Sequence, residues 1–373
     1  MIAVLILLAV LFLSFSNGAN DNFKGVATLF GSATASYDRA LGWATVTTFA
    51  GSMVALAGAG ALVKAFSGKG LVPDALIATA GFKIAVGLAA ALTVFLATRF
   101  GFPISTTHAL TGALVGAGWM AVGDKVNLAV LGKSFALPLL ASPVMASLLT
   151  VAVYAALRAA RKAAGITRET CICVGTEFVP VKVATGEGAA MAFGAAVPSV
   201  SVDPRERCVE RYQGTLAGFS AQGVLDVLHY GAAGLVSFAR GFNDTPKISG
   251  LLLGVTALNM NVGVFAVALA MALGGLMHAG RVAKTMSSDI TDMNPGQGFT
   301  ANAVTGLLVL LASPLGLPVS TTHVTCGALF GIGAVTGQAR GKVIASILTA
   351  WVTTLPVAAL LGAACYALFG SAQ

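Results

Sequence analysis

Residues 103–108 read PISTTH, and residues 318–323 read PVSTTH. Over the sixteen residues that begin at each proline, ten are identical, and the two copies lie in opposite halves of the chain. A second motif, GANDNFK at residues 18–24, returns in the other half as GFNDTPK at residues 241–247. Because both motifs occur in the same order in each half, the sequence indicates an internal duplication.

The composition identifies a membrane protein. Of 373 residues, 57% are apolar and 10% are charged, and the mean hydropathy is +0.87, whereas soluble domains carry about 25% charged residues. The apolar stretches long enough, or nearly long enough, to cross a bilayer are 2–15, 41–63, 76–98, 128–157, 216–238, 248–277, 300–312 and 343–369. Two of them, 128–157 and 248–277, have room for more than one element. Residues 1–16 could alternatively be a signal peptide, but they lack a basic start and align with 224–239.

The basic residues favour a cytoplasmic central connection and argue against nucleic acid binding. The net charge is +8, but the lysines and arginines form no stripe with interleaved aromatic residues. They concentrate at 158–168 and 205–211, and cytoplasmic loops of membrane proteins collect Lys and Arg. An odd number of crossings in each half would then produce an inverted repeat with both termini outside the cell.

We therefore predict an all-α polytopic membrane protein with two inverted-topology repeats, broken or re-entrant helices and a small β-rich cytoplasmic insertion. The first repeat comprises residues 1–158 and the second residues 214–373. Residues 159–213 form the central connection, where 166–212 are rich in β-branched residues, Gly and Pro and predict short strands. We expect a passive linker there, with a regulatory or partner-binding module as the alternative.

The five cysteines predict no disulfide framework. Cys326 and Cys365 lie in apolar stretches, where cysteine behaves as a small hydrophobe. Cys171, Cys173 and Cys208 lie in the central connection, and Cys-x-Cys with a distant third cysteine is a weak zinc pattern. Because thiols stay reduced in the cytoplasm, we expect free cysteines.

The Asn-Asp pair in each half predicts a cation site. Asp21 and Asp244 follow long apolar runs. Because a carboxylate at membrane depth costs free energy, such residues are rare and usually have a function. Gly18 and Gly241 are expected to let the helix break. Freed carbonyls and the Asn and Asp oxygens could then hold a small cation such as Na⁺. Capping of the next half-helix is the alternative interpretation.

A lysine follows each aspartate by three residues, at Lys24 and Lys247. These side chains could extend along a helix end to reach water. Otherwise they bring two ammonium groups to the core, where they would attract an anion.

The PxSTTH motif predicts an oxyanion site. Proline is tolerated at a helix start, and three hydroxyl residues there offer donors beside unpaired backbone N–H groups. Two such helix ends facing each other would enclose a tetrahedral oxyanion with the help of their dipoles. Packing between helices is the alternative role for these hydroxyls. For His108 and His323 we expect a supporting role behind the binding residues, such as orienting a threonine hydroxyl, with substrate binding and proton relay as the alternatives.

Three other classes of protein fit parts of this pattern. An intramembrane hydrolase could use Ser or Thr with His and Asp, but one active site does not need every residue twice. An anion channel could also be lined by half-helix ends. A membrane sensor would act through the central connection. We therefore predict a transporter and not an enzyme.

At these motifs the chain resembles the inorganic phosphate transporter family. Each half of that family carries a Gly-x-Asn-Asp motif and a later Pro-x-Ser-(Ser/Thr/Gly)-(Ser/Thr)-His motif. The resemblance implies import of phosphate across the cell membrane by alternating access, driven by Na⁺ or H⁺, in a helical inverted-repeat fold that works as a homodimer. It implies no cofactor beyond a coupling Na⁺.

The motifs and the resemblance together assign a substrate site and a cation site. The predicted substrate-binding residues are Asn20, Asp21, Lys24, Ser105, Thr106, Thr107, Asn243, Asp244, Lys247, Ser320, Thr321 and Thr322. Of these, Asn20, Asp21, Asn243 and Asp244 could also hold Na⁺. Because phosphate can donate a hydrogen bond to a carboxylate and sulfate cannot, the aspartates favour phosphate, with sulfate or another oxyanion as the alternative.

The chain departs from the family's pattern at several positions. Family members usually have small or apolar residues where this chain has Lys24 and Lys247, and many have a glutamate near the position of Asn302. We hypothesise that the lysines partly replace bound cations, so that coupling to Na⁺ is weaker or H⁺ is used. Asp226 and His229, one helical turn apart, are a candidate proton relay, and a locally satisfied polar pair is the alternative.

Overall fold

The computed structural model describes residues 2–58, 60–182, 191–212, 216–255 and 259–371. The chain forms two compact units. The helical unit comprises Met1–Tyr154 and His229–Gln373, and the central unit comprises Ala155–Leu228.

Helices make up most of the chain, which confirms the predicted all-α class. In chain order they are α1 Ile2–Asp21, α2 Ala27–Gly31, α3 Tyr37–Gly58, α4 Gly60–Phe66, α5 Asp74–Ile77, α6 Ala80–Arg99, α7 Thr106–Val122, α8 Leu128–Val130, α9 Leu137–Ala163, α10 Arg205–Arg211, α11 Ala221–Ser249, α12 Met260–His278, α13 Gly280–Lys284, α14 Pro295–Ala312, α15 Thr321–Thr336 and α16 Gly341–Phe369. Single 3₁₀ turns occupy Gly123–Lys125 and Gly250–Leu252, and π-helical segments occupy Leu131–Ala136 and Thr285–Asp289.

Within the described residues, five helical stretches are long and apolar enough to cross a membrane. They are α1, α6, Leu128–Ala163, α12 and α16, and α3 with α4 would add a sixth as one bent span. The expectation of a multi-pass membrane protein is therefore confirmed. Residues 128–163 form a single candidate span, whereas 248–277 divides between the end of α11 and α12.

The helices do not break at Gly18 and Gly241, so that expectation was wrong. Gly18 lies inside α1 and Gly241 inside α11. A Cβ atom on Gly18 would lie 1.9 Å from the Met271 carbonyl oxygen, and one on Gly241 would lie 2.0 Å from the Thr48 carbonyl oxygen. Each glycine is therefore needed because another helix backbone passes directly over it.

The breaks lie instead before α7 and α15. Gly101 and Gly316, each two positions before the proline of its motif, have φ values of +75° and +68°, a left-handed conformation that favours glycine. The chain then runs extended to Ser105 and Ser320, where the next helices begin. The PxSTTH motif therefore marks the loop and the start of the next helix in each half.

Small residues hold α7 and α15 against their neighbours. Gly112 and Gly116 of α7 lie against the Leu355 and Ala359 carbonyls of α16. Their counterparts in the second copy of the motif, Gly327 and Gly331 of α15, lie in the same way against α9. The Gly-x-x-x-Gly spacing after each motif thus buries the helix that starts at the motif.

The central unit contains the predicted strands as a small antiparallel sheet. The strands are β1 Thr170–Lys182, β2 Met191–Pro204 and β3 Leu216–Ser220, in the order β2-β1-β3. The prediction of free cysteines is wrong for one pair, because Cys173 of β1 forms a disulfide with Cys208 of α10, with a Cα–Cα distance of 6.2 Å. Cys171, Cys326 and Cys365 are free and buried. No cluster of metal-binding side chains occurs in the part of the chain that the structure describes, so the zinc alternative gains no support.

Candidate functional site

The polar motifs of the two halves meet inside the helical unit. The twelve predicted substrate-binding residues are all buried, and none is more than 4% exposed. Lys24 of the first half donates to the Thr322 hydroxyl of the second, with Nζ and Oγ1 2.7 Å apart. Lys247 of the second half donates to the Thr107 hydroxyl of the first at 2.9 Å. Residues that are distant in sequence therefore form equivalent cross-contacts.

Each helix start is capped by the serine of its motif. The Ser105 hydroxyl oxygen accepts a hydrogen bond from the backbone N–H of His108 at 3.2 Å. Ser320 caps α15 in the same way, with the backbone N–H of His323 at 3.2 Å. The capping serines fix where α7 and α15 begin. Within the described ranges neither serine hydroxyl donates a hydrogen bond, so both could donate to a bound anion.

The ammonium group of Lys24 lies among four oxygen atoms. It donates to Asn20 Oδ1 at 2.8 Å, to the Ile104 carbonyl at 2.9 Å and to the Thr322 hydroxyl, and it forms an ion pair with Asp21. The interpretation that this side chain extends to water is therefore wrong, since Lys24 is 1% exposed.

The ammonium group of Lys247 has an equivalent environment. It donates to the Thr107 hydroxyl, to the Val319 carbonyl at 2.7 Å and to Asp244 Oδ1 at 3.4 Å. Val319 and Ile104 occupy the same position in the two motifs. Each lysine therefore binds the carbonyl immediately before the capping serine of its own half.

Sequence reasoning missed Arg240, which is 1% exposed in the middle of the site. Its guanidinium donates to Asn17 Oδ1 at 2.7 Å, to Asn22 Oδ1 at 3.1 Å and to the Thr48 hydroxyl at 3.2 Å. Its Nε atom lies 3.9 Å from Asp244 Oδ2. Its position directly before the second Gly-x-Asn-Asp motif, at the end of an apolar run, could have indicated that it belongs to the site.

Asn17, also missed, joins both halves of the site. Its amide donates to Asp21 Oδ2 at 2.9 Å, to the Thr106 hydroxyl at 2.9 Å and to Asp244 Oδ2 at 3.3 Å. Asn17 and Arg240 each directly precede the glycine of a Gly-x-Asn-Asp motif, and they bond to each other. Equivalent positions of the two repeats thus meet at this pair.

The charges of the site do not balance. Lys24, Lys247 and Arg240 carry three positive charges when ionised, and Asp21 and Asp244 carry two negative charges, so the sum is +1. Among the described residues, the hydroxyl of the buried residue Thr321 makes no hydrogen bond, whereas the Thr106 hydroxyl donates to Asp21 at 3.2 Å, and the buried Arg240 Nε has no hydrogen-bond acceptor. A buried surplus of positive charge with an unused donor suits an anion.

The two motif histidines contact each other and not the threonine hydroxyls. Their ring centroids lie 4.5 Å apart in an edge-to-face arrangement. His323 Nδ1 lies 3.2 Å from the Leu139 carbonyl oxygen, and among the described residues the His108 ring has no hydrogen bond. Among the described residues, neither ring therefore orients a threonine hydroxyl. The starts of α7 and α15 lie close enough for the two rings to contact each other instead.

The two members of the candidate proton relay, Asp226 and His229, each bond to another residue. Asp226 accepts a hydrogen bond from Gln222 at 2.7 Å. His229 Nε2 lies 2.9 Å from the Thr28 hydroxyl, which also accepts from the Asn302 amide at 2.7 Å. Asn302 and His229 thus belong to a buried polar cluster around Thr28.

Known proteins match this chain over nearly its whole length. A family described as the phosphate transporter family matches residues 17–362. A probable low-affinity inorganic phosphate transporter of Rhizobium meliloti is 29% identical, covering 95% of this chain and 93% of its own length. A putative phosphate permease of Haemophilus influenzae is 27% identical and covers 93% and 92%. A solved structure described as the sodium-dependent phosphate transporter has a TM-score of 0.75, 21% identity and 99% coverage of both chains, which shows a common fold.

Proposed function

Because the chain belongs to the phosphate transporter family, we propose that it imports inorganic phosphate across the cell membrane by cation-coupled alternating access. The observation that carries this proposal is the meeting of the two capped helix starts, α7 and α15, beside a buried surplus of positive charge. Since the family consists of transporters, the duplicated Ser, Thr, His and Asp residues are not the parts of a hydrolase.

In this proposal the phosphate lies between the amino ends of α7 and α15. The first N–H groups of a helix are unpaired, and the helix dipole adds partial positive charge there. Ser105, Ser320 and Thr321 would donate hydroxyl hydrogens to phosphate oxygens. Asp21 and Asp244 would accept a hydrogen bond from a protonated phosphate oxygen, which sulfate cannot donate near neutral pH.

The proposed transport cycle uses the relation between the two halves. Equivalent contacts, such as Lys24 with Thr322 and Lys247 with Thr107, support two repeats of inverted topology on either side of one site. Residues 1–158 and 214–373 would rock against each other, with residues 159–213 as the connection between them. A homodimer is part of the proposal because the family resemblance implies it.

The coupling ion in this proposal is Na⁺ or H⁺. The structurally similar transporter is described as sodium-dependent. In this chain the oxygens of Asn20, Asp21, Asn243 and Asp244 are the candidate Na⁺ ligands.

Counterflow of labelled phosphate in proteoliposomes tests the proposal. Vesicles preloaded with unlabelled phosphate should accumulate the label transiently, because a carrier exchanges substrate across the membrane. A tenfold excess of sulfate should reduce this only slightly. Equal competition by sulfate would favour a general oxyanion permease, and flux that only follows the gradient without counterflow would identify a channel.

Replacing both capping serines should weaken phosphate binding. Ser105→Ala with Ser320→Ala removes two charge-assisted hydrogen bonds of about 1.5–3 kcal/mol each, so we expect the affinity to fall by about a hundredfold or more in a binding assay. The change also removes two caps, at a cost of about 1 kcal/mol of stability each. Asn294→Ala is the matched control, since Asn294 caps α14 away from the site. It should lower stability without changing phosphate affinity, and unchanged affinity in the serine double variant would remove both hydroxyls from the site.

A further inference from the structure

The ammonium groups of Lys24 and Lys247 occupy the places where a bound cation would be expected. Carbonyl, carboxylate, amide and hydroxyl oxygens are the ligands that a hard cation such as Na⁺ uses in membrane transporters. Around Lys24 these are the oxygens of Asn20, Asp21, Ile104 and Thr322. Three of the candidate Na⁺ ligands in the chain, Asn20, Asp21 and Asp244, therefore already bind an ammonium group.

The donors of both ammonium groups are fully used. An ammonium group has three N–H donors and no acceptor. Lys247 has three oxygen partners, and Lys24 has four. The distances of 2.7–2.9 Å to the hydroxyl, carbonyl and amide oxygens are those of hydrogen bonds to an ammonium group. Neither group therefore has a free donor for phosphate.

A metal ion does not fit beside these groups. A Na⁺ ion that bound the same Asp21 or Asp244 oxygen would lie within a few ångströms of an ammonium group, and like charges repel strongly in a buried site. Both lysines are 1% exposed, Lys24 in the turn between α1 and α2 and Lys247 on α11, and glycine contacts hold the backbone close by, so the side chains cannot simply turn into water. The residues present thus disagree with a Na⁺ site formed by Asn20, Asp21 and their copies.

We propose that the side-chain ammonium groups of Lys24 and Lys247 occupy the two sites that coupling Na⁺ would otherwise fill, so that phosphate transport by this chain does not require Na⁺. This inference rests on the proposed phosphate transport. The ammonium groups neutralise Asp21 and Asp244 and connect each aspartate to the helix start of the other half, through Thr322 and Thr107. Arg240 then supplies the surplus positive charge for the anion. Of the two coupling ions considered above, H⁺ remains.

Uptake of labelled phosphate by proteoliposomes in NaCl and in choline chloride, at the same pH and ionic strength, tests this inference. Wild type should change by less than about twofold between the two salts, because no Na⁺ binds a site that is already filled. A wild-type rate that falls by about tenfold or more in choline would overturn the inference, while leaving phosphate transport itself established. Absence of phosphate counterflow in either salt would instead contradict the proposed function.

Variants of the two lysines provide the complementary test. Lys247→Ala leaves a space lined by oxygen atoms in which Na⁺ could bind. Phosphate uptake by this variant should be lost in choline chloride and should be at least about tenfold higher in NaCl, because bound Na⁺ would stabilise the transport-competent structure. Lys247→Met fills the same space without charge and should not be restored by Na⁺. Lys83→Ala is the matched control, since Lys83 is also buried and its Nζ atom lies 2.5 Å from the Leu253 carbonyl, away from the site. Equal phosphate uptake by Lys247→Ala and Lys247→Met in both salts would show that the Lys247 ammonium group does not occupy a cation site.

Thermal unfolding of the purified protein separates Na⁺ binding from transport. An ion that binds the folded state raises the unfolding midpoint. The wild-type midpoint should be the same in NaCl and choline chloride, and the midpoint of Lys24→Ala should rise in NaCl. The inference would be wrong if NaCl raised the unfolding midpoint of wild type and did not raise that of Lys24→Ala or Lys247→Ala. Na⁺ would then bind with the lysines in place, a result that does not depend on a transport assay.

Discussion

Asp21→Asn is expected to abolish phosphate uptake. The variant leaves the buried Lys24 without its ion-pair partner and raises the charge of the site from +1 to +2. Removing one member of a buried ion pair costs about 3–5 kcal/mol because the other charge stays buried. The carboxylate also accepts from Asn17 and Thr106, so one of the hydrogen bonds between α1 and the start of α7 is weakened. Uptake and thermal stability measured on the same preparation should both fall.

A compensating change separates the folding effect from the transport effect. Asp21→Asn with Lys24→Met removes both charges and should recover much of the lost stability, whereas phosphate uptake should stay absent. Asp226→Asn is the control for loss of a carboxylate, because among the described residues Asp226 bonds only to Gln222. Uptake within about tenfold of wild type in Asp21→Asn, a loss of only about 1.4 kcal/mol, would exclude the carboxylate from the transport mechanism.

Gly241→Ala is expected to lower the stability of the helical unit strongly. The added methyl group would lie 2.0 Å from the Thr48 carbonyl and 2.9 Å from the Ser52 backbone nitrogen, so α3 and α11 must move apart. Overpacking typically costs about 1–3 kcal/mol and sometimes more, and here the atoms in the way belong to a helix backbone. The same movement would displace Asn243 and Asp244, which follow on α11. Both the unfolding midpoint and the phosphate uptake should therefore decrease.

Gly231→Ala is the matched control for that prediction. Gly231 lies on the same helix, and a Cβ atom there would meet nothing within 4 Å. Alanine is a better helix former than glycine by about 0.8–1.0 kcal/mol, so this variant should keep its uptake and be slightly more stable. Equal stability of Gly241→Ala and Gly231→Ala would show that α3 and α11 are not in close contact.

Local sequence features predict the class of fold and the positions of the site helices. Apolar stretches define membrane helices from local composition, because each bilayer crossing has to exclude charge on its own. The β-branched residues around 170–182 and 191–204 predict strands for a similarly local reason. The Pro-x-Ser-Thr-Thr-His hexapeptides locate both helix starts, since capping depends on residues three positions apart.

The partners of the buried charges depended on the tertiary structure. Lys24 of the first half meets Thr322 of the second, and Arg240 of the second half meets Asn17 of the first. Only the packing of the two halves decides whether such a side chain reaches water, an anion or protein oxygens, because burial makes the nearest partner decisive. The roles of Gly18 and Gly241 and the bond between Cys173 and Cys208 have the same origin. Local sequence thus determined which segments cross the membrane and where the site helices begin, and long-range packing determined which charges neutralise one another inside it.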